Sequence, residues 1–149
     1  MTDPMDPAIV LAEARRWIGT PYHDQASVRY IGCDCLGLLR GVWRGVVGPE
    51  PMSVPPYSRD WGEVSGREVL AEAAGRAMLA RPARPLIPGA VVLFRMRGGA
   101  VAKHCGIVAE DGATLIHARE RLGVIEEALT AAWRRRIAYQ FLFPARAGG

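Results

Sequence analysis

The sequence predicts a single domain of the α+β class over residues 1–149, with N-terminal helices packed on a C-terminal antiparallel sheet. Up to about residue 80, apolar residues recur at helical spacing. From Pro88 onward the period changes to two, and glycine-containing turns separate short apolar runs. Helices therefore precede strands instead of alternating with them, which favours an antiparallel sheet.

Three helices are predicted in the first half. Their start signals include the Asp6-Pro7 pair and a capping box formed by Ser65 and Glu68. The predicted helices span about residues 7–18, a stretch that begins at the cysteines near residue 35, and about 66–80. The proline-rich stretch 49–57 predicts a loop of the kind that borders a binding cleft.

Five strands are predicted in the second half. The clearest turn signal is Asp111-Gly112, which predicts a hairpin. The predicted strands are 90–94, 102–109, 114–118, 124–126 and 137–143, with a helical turn at 128–133. On the last strand, Tyr139, Phe141 and Phe143 are expected to share one face because side chains alternate along a strand.

Composition and charge restrict the function classes. No apolar run approaches the roughly 20 residues that cross a bilayer, so no membrane segment is expected. The net charge of +4 comes mostly from scattered arginines without interleaved aromatic residues, and no direct nucleic-acid binding is expected. Residues 1–4 have neither the basic start nor the apolar core of a secretory signal, so we expect synthesis in the cytoplasm without a signal peptide.

Cys33 and Cys35 stand at the predicted start of the second helix. Unpaired backbone N–H groups and the positive end of the helix dipole favour a thiolate at such a position. The alternative interpretation is that both cysteines are ordinary buried small residues. Three cysteines, two of them separated by one residue, do not form a disulfide framework, so reduced thiols are expected.

His104 and His117 lie on two strands joined by the predicted hairpin and can be cross-strand neighbours. A helix-start cysteine packed over a sheet that carries two imidazoles is the geometry of a thiol protease. The cysteine attacks a carbonyl, one histidine takes its proton, and a second polar group orients that imidazole. The alternative is that both histidines are merely half-buried strand residues.

Zinc binding is a second chemical possibility, because cysteine and histidine are both zinc ligands. The candidate ligands are Cys33, Cys35, His104, Cys105 and His117. However, Cys-x-Cys is a poor chelating pair, and consecutive strand residues point to opposite faces, so His104 and Cys105 cannot ligate one ion. We therefore expect neither a metal nor another cofactor.

Five motifs follow one another along the chain. They are Gly19-Thr20-Pro21-Tyr22, Asp34-Cys35-Leu36-Gly37-Leu38, Pro88-Gly89-Ala90-Val91-Val92-Leu93-Phe94, His104-Cys105-Gly106-Ile107-Val108 and Leu115-Ile116-His117-Ala118. Their order and spacing resemble the motifs of the NlpC/p60 cell-wall peptidases, which are papain-like cysteine peptidases. The resemblance covers nearly the whole chain and looks closest to the short members carried in phage tails and gene transfer agents.

That resemblance implies a papain-like NlpC-type fold in which Cys35 is the nucleophile, His104 the base and His117 the orienting third residue. Tyr22 resembles the family tyrosine whose hydroxyl lies near the nucleophile, and Asp34 resembles the flanking acidic residue that can meet the substrate's amine. Both are expected to bind substrate, whereas Cys33 is expected to be structural. Leu36, Ala90 and Cys105 stand where many members have serine, aspartate and valine.

The resemblance also implies hydrolysis of peptidoglycan stem peptides, typically between γ-D-glutamyl and a diamino acid. Without an export signal, we expect delivery on a phage-like tail to the cell wall or periplasm, with tail-tip or baseplate proteins as partners. Two alternatives remain open. One is a catalytically inert structural component of the tail tip, and the other is a thiol amidase or acyltransferase acting on another substrate.

Overall fold

In the computed structural model, which describes residues 3–53 and 67–146, helices come first and most strands second. The described helices are α1 (Pro7–Arg16), α2 (Cys35–Val46), α3 (Val69–Ala77) and α4 (Ala131–Arg136). The described strands are β1 (Ser27–Val28), β2 (Gly32–Cys33), β3 (Leu79–Arg81), β4 (Val91–Phe94), β5 (His104–Ala109), β6 (Thr114–Arg119), β7 (Gly123–Ala128) and β8 (Ile137–Leu142). This arrangement confirms the predicted α+β class.

The main sheet of the described residues has six antiparallel strands in the order β3-β8-β4-β5-β6-β7. Its central strands are buried on both faces. The first face packs against α1 and α2 and includes Val91, Leu93, Cys105, Ile107, Ile116, Ala118 and Phe141. The second face packs against Trp133 of α4 and includes Val92, Phe94, Val108, Leu115 and Ile137.

Helix α2 begins at Cys35 because Asp34 caps it. The Asp34 carboxylate accepts a hydrogen bond from the backbone N–H of Gly37 at 2.7 Å, which satisfies one of the free donors of the first turn. Leu38 and Val42 then bury one side of the helix in the core. The capped end of α2 is thus held against the sheet, with its first residue next to β5.

The five strands predicted for the second half all form, as β4 to β8, with bounds that differ by at most two residues. Tyr139, Phe141 and Phe143 all pack on the first face, as predicted. The predicted helical turn at 128–133 is displaced toward the C-terminus, because Thr130 caps α4 by accepting from the N–H of Trp133.

The prediction of a helix over 66–80 is wrong at its C-terminal end. Helix α3 ends at Ala77, and β3 pairs with β8, so that Leu79 lies opposite Leu142. Within residues 67–146, the Glu68 carboxylate makes no capping bond to α3. It pairs with Arg95 and accepts from the N–H of Ala102 at 3.0 Å. Cross-sheet partners therefore outweigh the local helix signals, while Ser65 and part of the 49–57 loop lie outside the described residues.

Strands β1 and β2 were not predicted. They form a two-stranded hairpin immediately before α2, and Tyr22 forms a single bridge to Cys33 of β2. This hairpin connects the Tyr22 segment to the start of the cysteine helix. Among the described residues, no helix is both long and apolar enough to cross a membrane.

Candidate active site

Cys35 is the first residue of α2 and is partly exposed. Its Sγ lies 3.8 Å from the carbonyl oxygen of Lys103, at the entrance to β5. A hydrogen bond from the Cys105 thiol is the largest cause that lowers the pKa of Cys35, to about 5, while burial opposes it. The hydrogen bond and positive charge of His104 lower it further. The site therefore favours a thiolate near neutral pH.

The two histidines are joined directly. His104 Nε2 lies 2.7 Å from His117 Nδ1, and the rings meet edge to face with centroids 5.0 Å apart. His104 is partly exposed, whereas the side chain of His117 is completely buried. Burial, followed by the charge of His104, lowers the pKa of His117 to about 4. His117 is therefore a neutral hydrogen-bond partner at neutral pH.

The cysteine helix packs over the sheet that carries the imidazoles, as predicted, but on the opposite face. Helix α2 lies on the first face. His104 and His117 belong to the second face, since they alternate with Cys105 and Ile116 of the first face. The thiol and the imidazole meet instead at the end of β5, where His104 is the first strand residue.

Trp133 covers the histidine pair on the second face. Its ring centroid lies 5.7 Å from that of His104 and 5.0 Å from that of His117. Phe94 contacts both His104 and Trp133, at 5.6 and 5.1 Å between centroids. These rings keep water from one side of the imidazole pair, which strengthens the hydrogen bond between the two histidines.

Gly106 makes room for the pair. The register places His117 next to Gly106, and a Cβ built on this glycine would lie 3.0 Å from the Cβ of His117 and 2.7 Å from the Cδ1 of Leu115. Any side chain at this position would force Leu115 to shift and would crowd the Cβ of His117. Close packing against Leu115 and His117 therefore explains why a glycine occupies the third position of the His104-Cys105-Gly106 motif.

Tyr22 lies half-buried beside the start of α2. Burial raises the pKa of its phenol, and the negative charge of Cys35 raises it further. The hydroxyl therefore remains protonated and available as a donor near the thiolate. The assignment of Tyr22 to substrate binding stays a prediction.

Asp34 is almost completely buried, with 3% of its surface exposed. One carboxylate oxygen accepts from the N–H of Gly37 and the other from the N–H of Gln25, each at 2.7 Å. These bonds connect the β1–β2 segment to the helix that presents Cys35. Its assignment to substrate binding also stays a prediction.

Cys33 and Cys105 are fully buried in the first-face core. Burial raises the pKa of Cys33 to about 12, so its thiol stays neutral. The hydrogen bond to Cys35, followed by burial, raises the pKa of Cys105, so this thiol also stays protonated. Within residues 3–53 and 67–146, no three His, Cys, Asp or Glu side chains are arranged to hold a metal ion.

Three residues of the site were not predicted in these roles from the sequence: Cys105 as a donor to Cys35, Trp133, and Glu127. Glu127 lies on β7, and its Oε2 is 2.6 Å from His117 Nε2. Alternation along β7 would have placed Glu127 on the same face as His117, once the hairpin register was known. No sequence signal indicates that register.

No protein-family model matches the chain, and no curated protein matches it. Solved structures do. The NlpC/p60 domain of the peptidoglycan hydrolase SagA is 20% identical, with a TM-score of 0.63 over 91% of this chain and 97% of that domain. An NlpC/p60 family protein from Bacillus cereus is 17% identical, with a TM-score of 0.63 over 93% of this chain. NlpC2 from Trichomonas vaginalis is 14% identical, with a TM-score of 0.66 over 98%.

The chain spans 40% of the Bacillus cereus chain and 49% of the Trichomonas vaginalis chain, so it corresponds to one part of each. At these identities the likeness concerns the fold. The shared architecture is the arrangement of helices on an antiparallel sheet. The chain therefore has the NlpC/p60 fold.

Proposed function

We propose that this protein is a cysteine peptidase that hydrolyses peptidoglycan stem peptides, with Cys35 as nucleophile and His104 as base. One observation carries the proposal. A partly exposed thiol at a helix N-terminus interacts with an imidazole that is itself bonded to a buried second imidazole. A thiolate, a base and an orienting group in this order are the parts that covalent acyl transfer requires.

The reaction follows from these positions. The Cys35 thiolate attacks the carbonyl carbon of the scissile bond and forms a tetrahedral intermediate. The protonated ring of His104 gives its proton to the leaving amine, and a thioester to Cys35 remains. Water then attacks the thioester while His104 accepts its proton. The carboxylic acid product leaves, and the Cys35 thiolate is regenerated.

Two further residues have roles in this proposal. The protonated Tyr22 hydroxyl donates to the oxyanion or to the substrate, since its raised pKa keeps the proton in place. Asp34 contributes negative charge beside the nucleophile, where the substrate's amine binds. The bond proposed to be cut joins γ-D-glutamyl to a diamino acid, as the motif resemblance implies.

The structural neighbours support peptidoglycan hydrolysis. SagA, whose NlpC/p60 domain has the same fold over 91% of this chain, is a peptidoglycan hydrolase. Delivery on the tail tip of a phage-like particle rests on the motif resemblance to short tail-borne members. Mass spectrometry of particles purified from the producing cells tests it, because a tail component must copurify with the baseplate proteins.

Digestion of purified peptidoglycan, followed by mass spectrometry of the released fragments, tests the reaction. The wild-type protein is expected to release fragments ending at the γ-D-glutamyl residue, and the Cys35→Ala variant none. Cys33→Ala is the matched control and should retain activity. No release by a folded wild-type protein supports the inert tail component instead, and amide exchange without hydrolysis supports the acyltransferase.

A further inference from the structure

The site extends beyond the two histidines to a carboxylate. His117 Nε2 lies 2.6 Å from Oε2 of Glu127, which is on the neighbouring strand β7. Arg119 Nη1 lies 3.3 Å from the same oxygen. The Glu127 side chain is about one quarter exposed, whereas that of His117 is fully buried. Glu127 is thus the outer end of a series of interacting side chains that begins at Cys35 and continues through His104 and His117.

The donor and acceptor properties of these side chains set the direction of each hydrogen bond in the series. An ionised carboxylate only accepts, so the Nε2 of His117 must carry a proton. A neutral imidazole has one N–H, and His117 Nδ1 is therefore an acceptor. His104 Nε2, at 2.7 Å, must then donate to it. The remaining nitrogen of His104, Nδ1, is the one left to exchange a proton with the Cys35 thiol.

We propose that Glu127 is a positioning residue of this active site, which selects the tautomer of His117 and, through it, the ring nitrogen of His104 that acts as the base. The expected effect on catalysis rests on the proposed function. The expected effect on the tautomers of the two imidazoles does not depend on it. Glu127 does not touch the reacting atoms, and its effect is transmitted through two hydrogen bonds.

A merely structural role is the competing explanation. Glu127 also pairs with Arg119, and an exposed ion pair contributes little to stability, about 0–1 kcal/mol. Under that explanation, loss of the Glu127 charge would change neither the imidazole tautomers nor the thiol reactivity. The charged and titratable groups that act on His117 are His104 from β5, Glu127 from β7 and Arg119 from its own strand.

Glu126, which lies on the same strand as Glu127, provides a matched control. Glu126 points to the first face, where it pairs with Arg15 of α1 and accepts from the Thr114 hydroxyl. Glu127→Gln and Glu126→Gln make the same chemical change one residue apart. In Glu127→Gln the amide can accept from or donate to His117. The side chain at position 127 therefore no longer fixes the tautomer of His117 or the direction of its hydrogen bond with His104.

Nitrogen NMR of the histidine rings in the full chain tests the inference first, without any variant or substrate. The wild-type protein should show N–H on Nε2 of both His104 and His117. A proton on Nδ1 of neutral His117 overturns the inference. Because it uses only the wild-type protein, this measurement tests the inference even if Glu127→Gln does not fold.

Kinetics of the variants provide the second test. Glu127→Gln should lower kcat on stem-peptide fragments on the order of 10- to 100-fold, with KM changed less than about twofold. It should also slow the alkylation of Cys35 by iodoacetamide at pH 6, and Glu126→Gln should do neither. A Glu127→Gln variant with wild-type tautomers and alkylation rate overturns the inference. Tautomers and alkylation that respond to Glu127→Gln, in a protein that cuts no stem peptide, overturn only the proposed function.

Discussion

His104 Nε2 lies 2.7 Å from His117 Nδ1, and 0% of the His117 side chain is exposed. The base of the site is thus held by a group that solvent does not reach, under the ring of Trp133. A buried and neutral partner keeps the orientation of His104 without adding charge.

His117→Ala should lower kcat/KM by about 100-fold or more, because the His104 ring loses the bond that orients it. His117→Asn can still offer an oxygen acceptor and should retain more activity than the alanine variant. Stem-peptide release, measured at a temperature where circular dichroism shows both variants folded, checks the order. Equal kcat/KM for wild type and His117→Ala would contradict the proposed role.

Cys105→Val should raise the pKa of Cys35, because the variant removes the hydrogen bond that contributes most to lowering it. At pH 6 the rate of iodoacetamide alkylation should fall about twofold for the first unit of rise above the wild-type pKa of about 5, and by a factor approaching tenfold for each further unit, since the thiolate is the reactive form. Cys33→Ala is the matched control, because Cys33 is buried nearby but is not among the causes that lower the pKa of Cys35. An unchanged pH profile in Cys105→Val would remove Cys105 from the site.

Folding stability should fall between about pH 6.5 and pH 4 because of His117. Burial lowers its pKa to about 4 in the folded state, so in this window the unfolded chain binds a proton that the folded chain does not. The loss amounts to roughly 3 kcal/mol when the full shift is counted. Urea unfolding of wild type and His117→Asn at pH 7.0 and pH 4.5 measures it. The same pH dependence in both proteins would refute the assignment.

Gly106→Ala should destabilise the fold by about 1–3 kcal/mol and lower activity, because the new Cβ meets Leu115 and the Cβ of His117. Gly75→Ala is the matched comparison. Gly75 lies on α3, and a Cβ built on it would lie 4.0 Å from the Phe141 ring, so alanine should stabilise the helix by about 0.5–1 kcal/mol. Thermal unfolding and stem-peptide release measure the pair. A Gly106→Ala variant as stable and active as wild type would contradict the packing argument.

Asp34→Asn should reduce the free energy of unfolding by about 1–3 kcal/mol. Both carboxylate oxygens accept from backbone N–H groups, and an asparagine amide can satisfy only one of them. The loss of negative charge should lower the pKa of Cys35, since Asp34 raises it. Steady-state kinetics separate the two roles, because KM rises only if Asp34 also binds the substrate's amine.

The class of the fold and the position of each motif follow from local patterns in the sequence. Helical and two-residue periods are local properties, so strands β4 to β8 could be predicted with bounds close to those observed. The start of α2 could be predicted in the same way, because Asp34 is a local capping residue.

The face of the sheet that α2 covers, and the groups that surround the imidazoles, depend on contacts that no local pattern predicts. Leu79 joins a strand because β8 offers an unpaired edge, and this long-range partner overrides the local helix signal. Glu127 and Trp133 reach the histidines through strand register and through the packing of α4. Register and packing depend on contacts between residues far apart in the chain, and no local pattern encodes them.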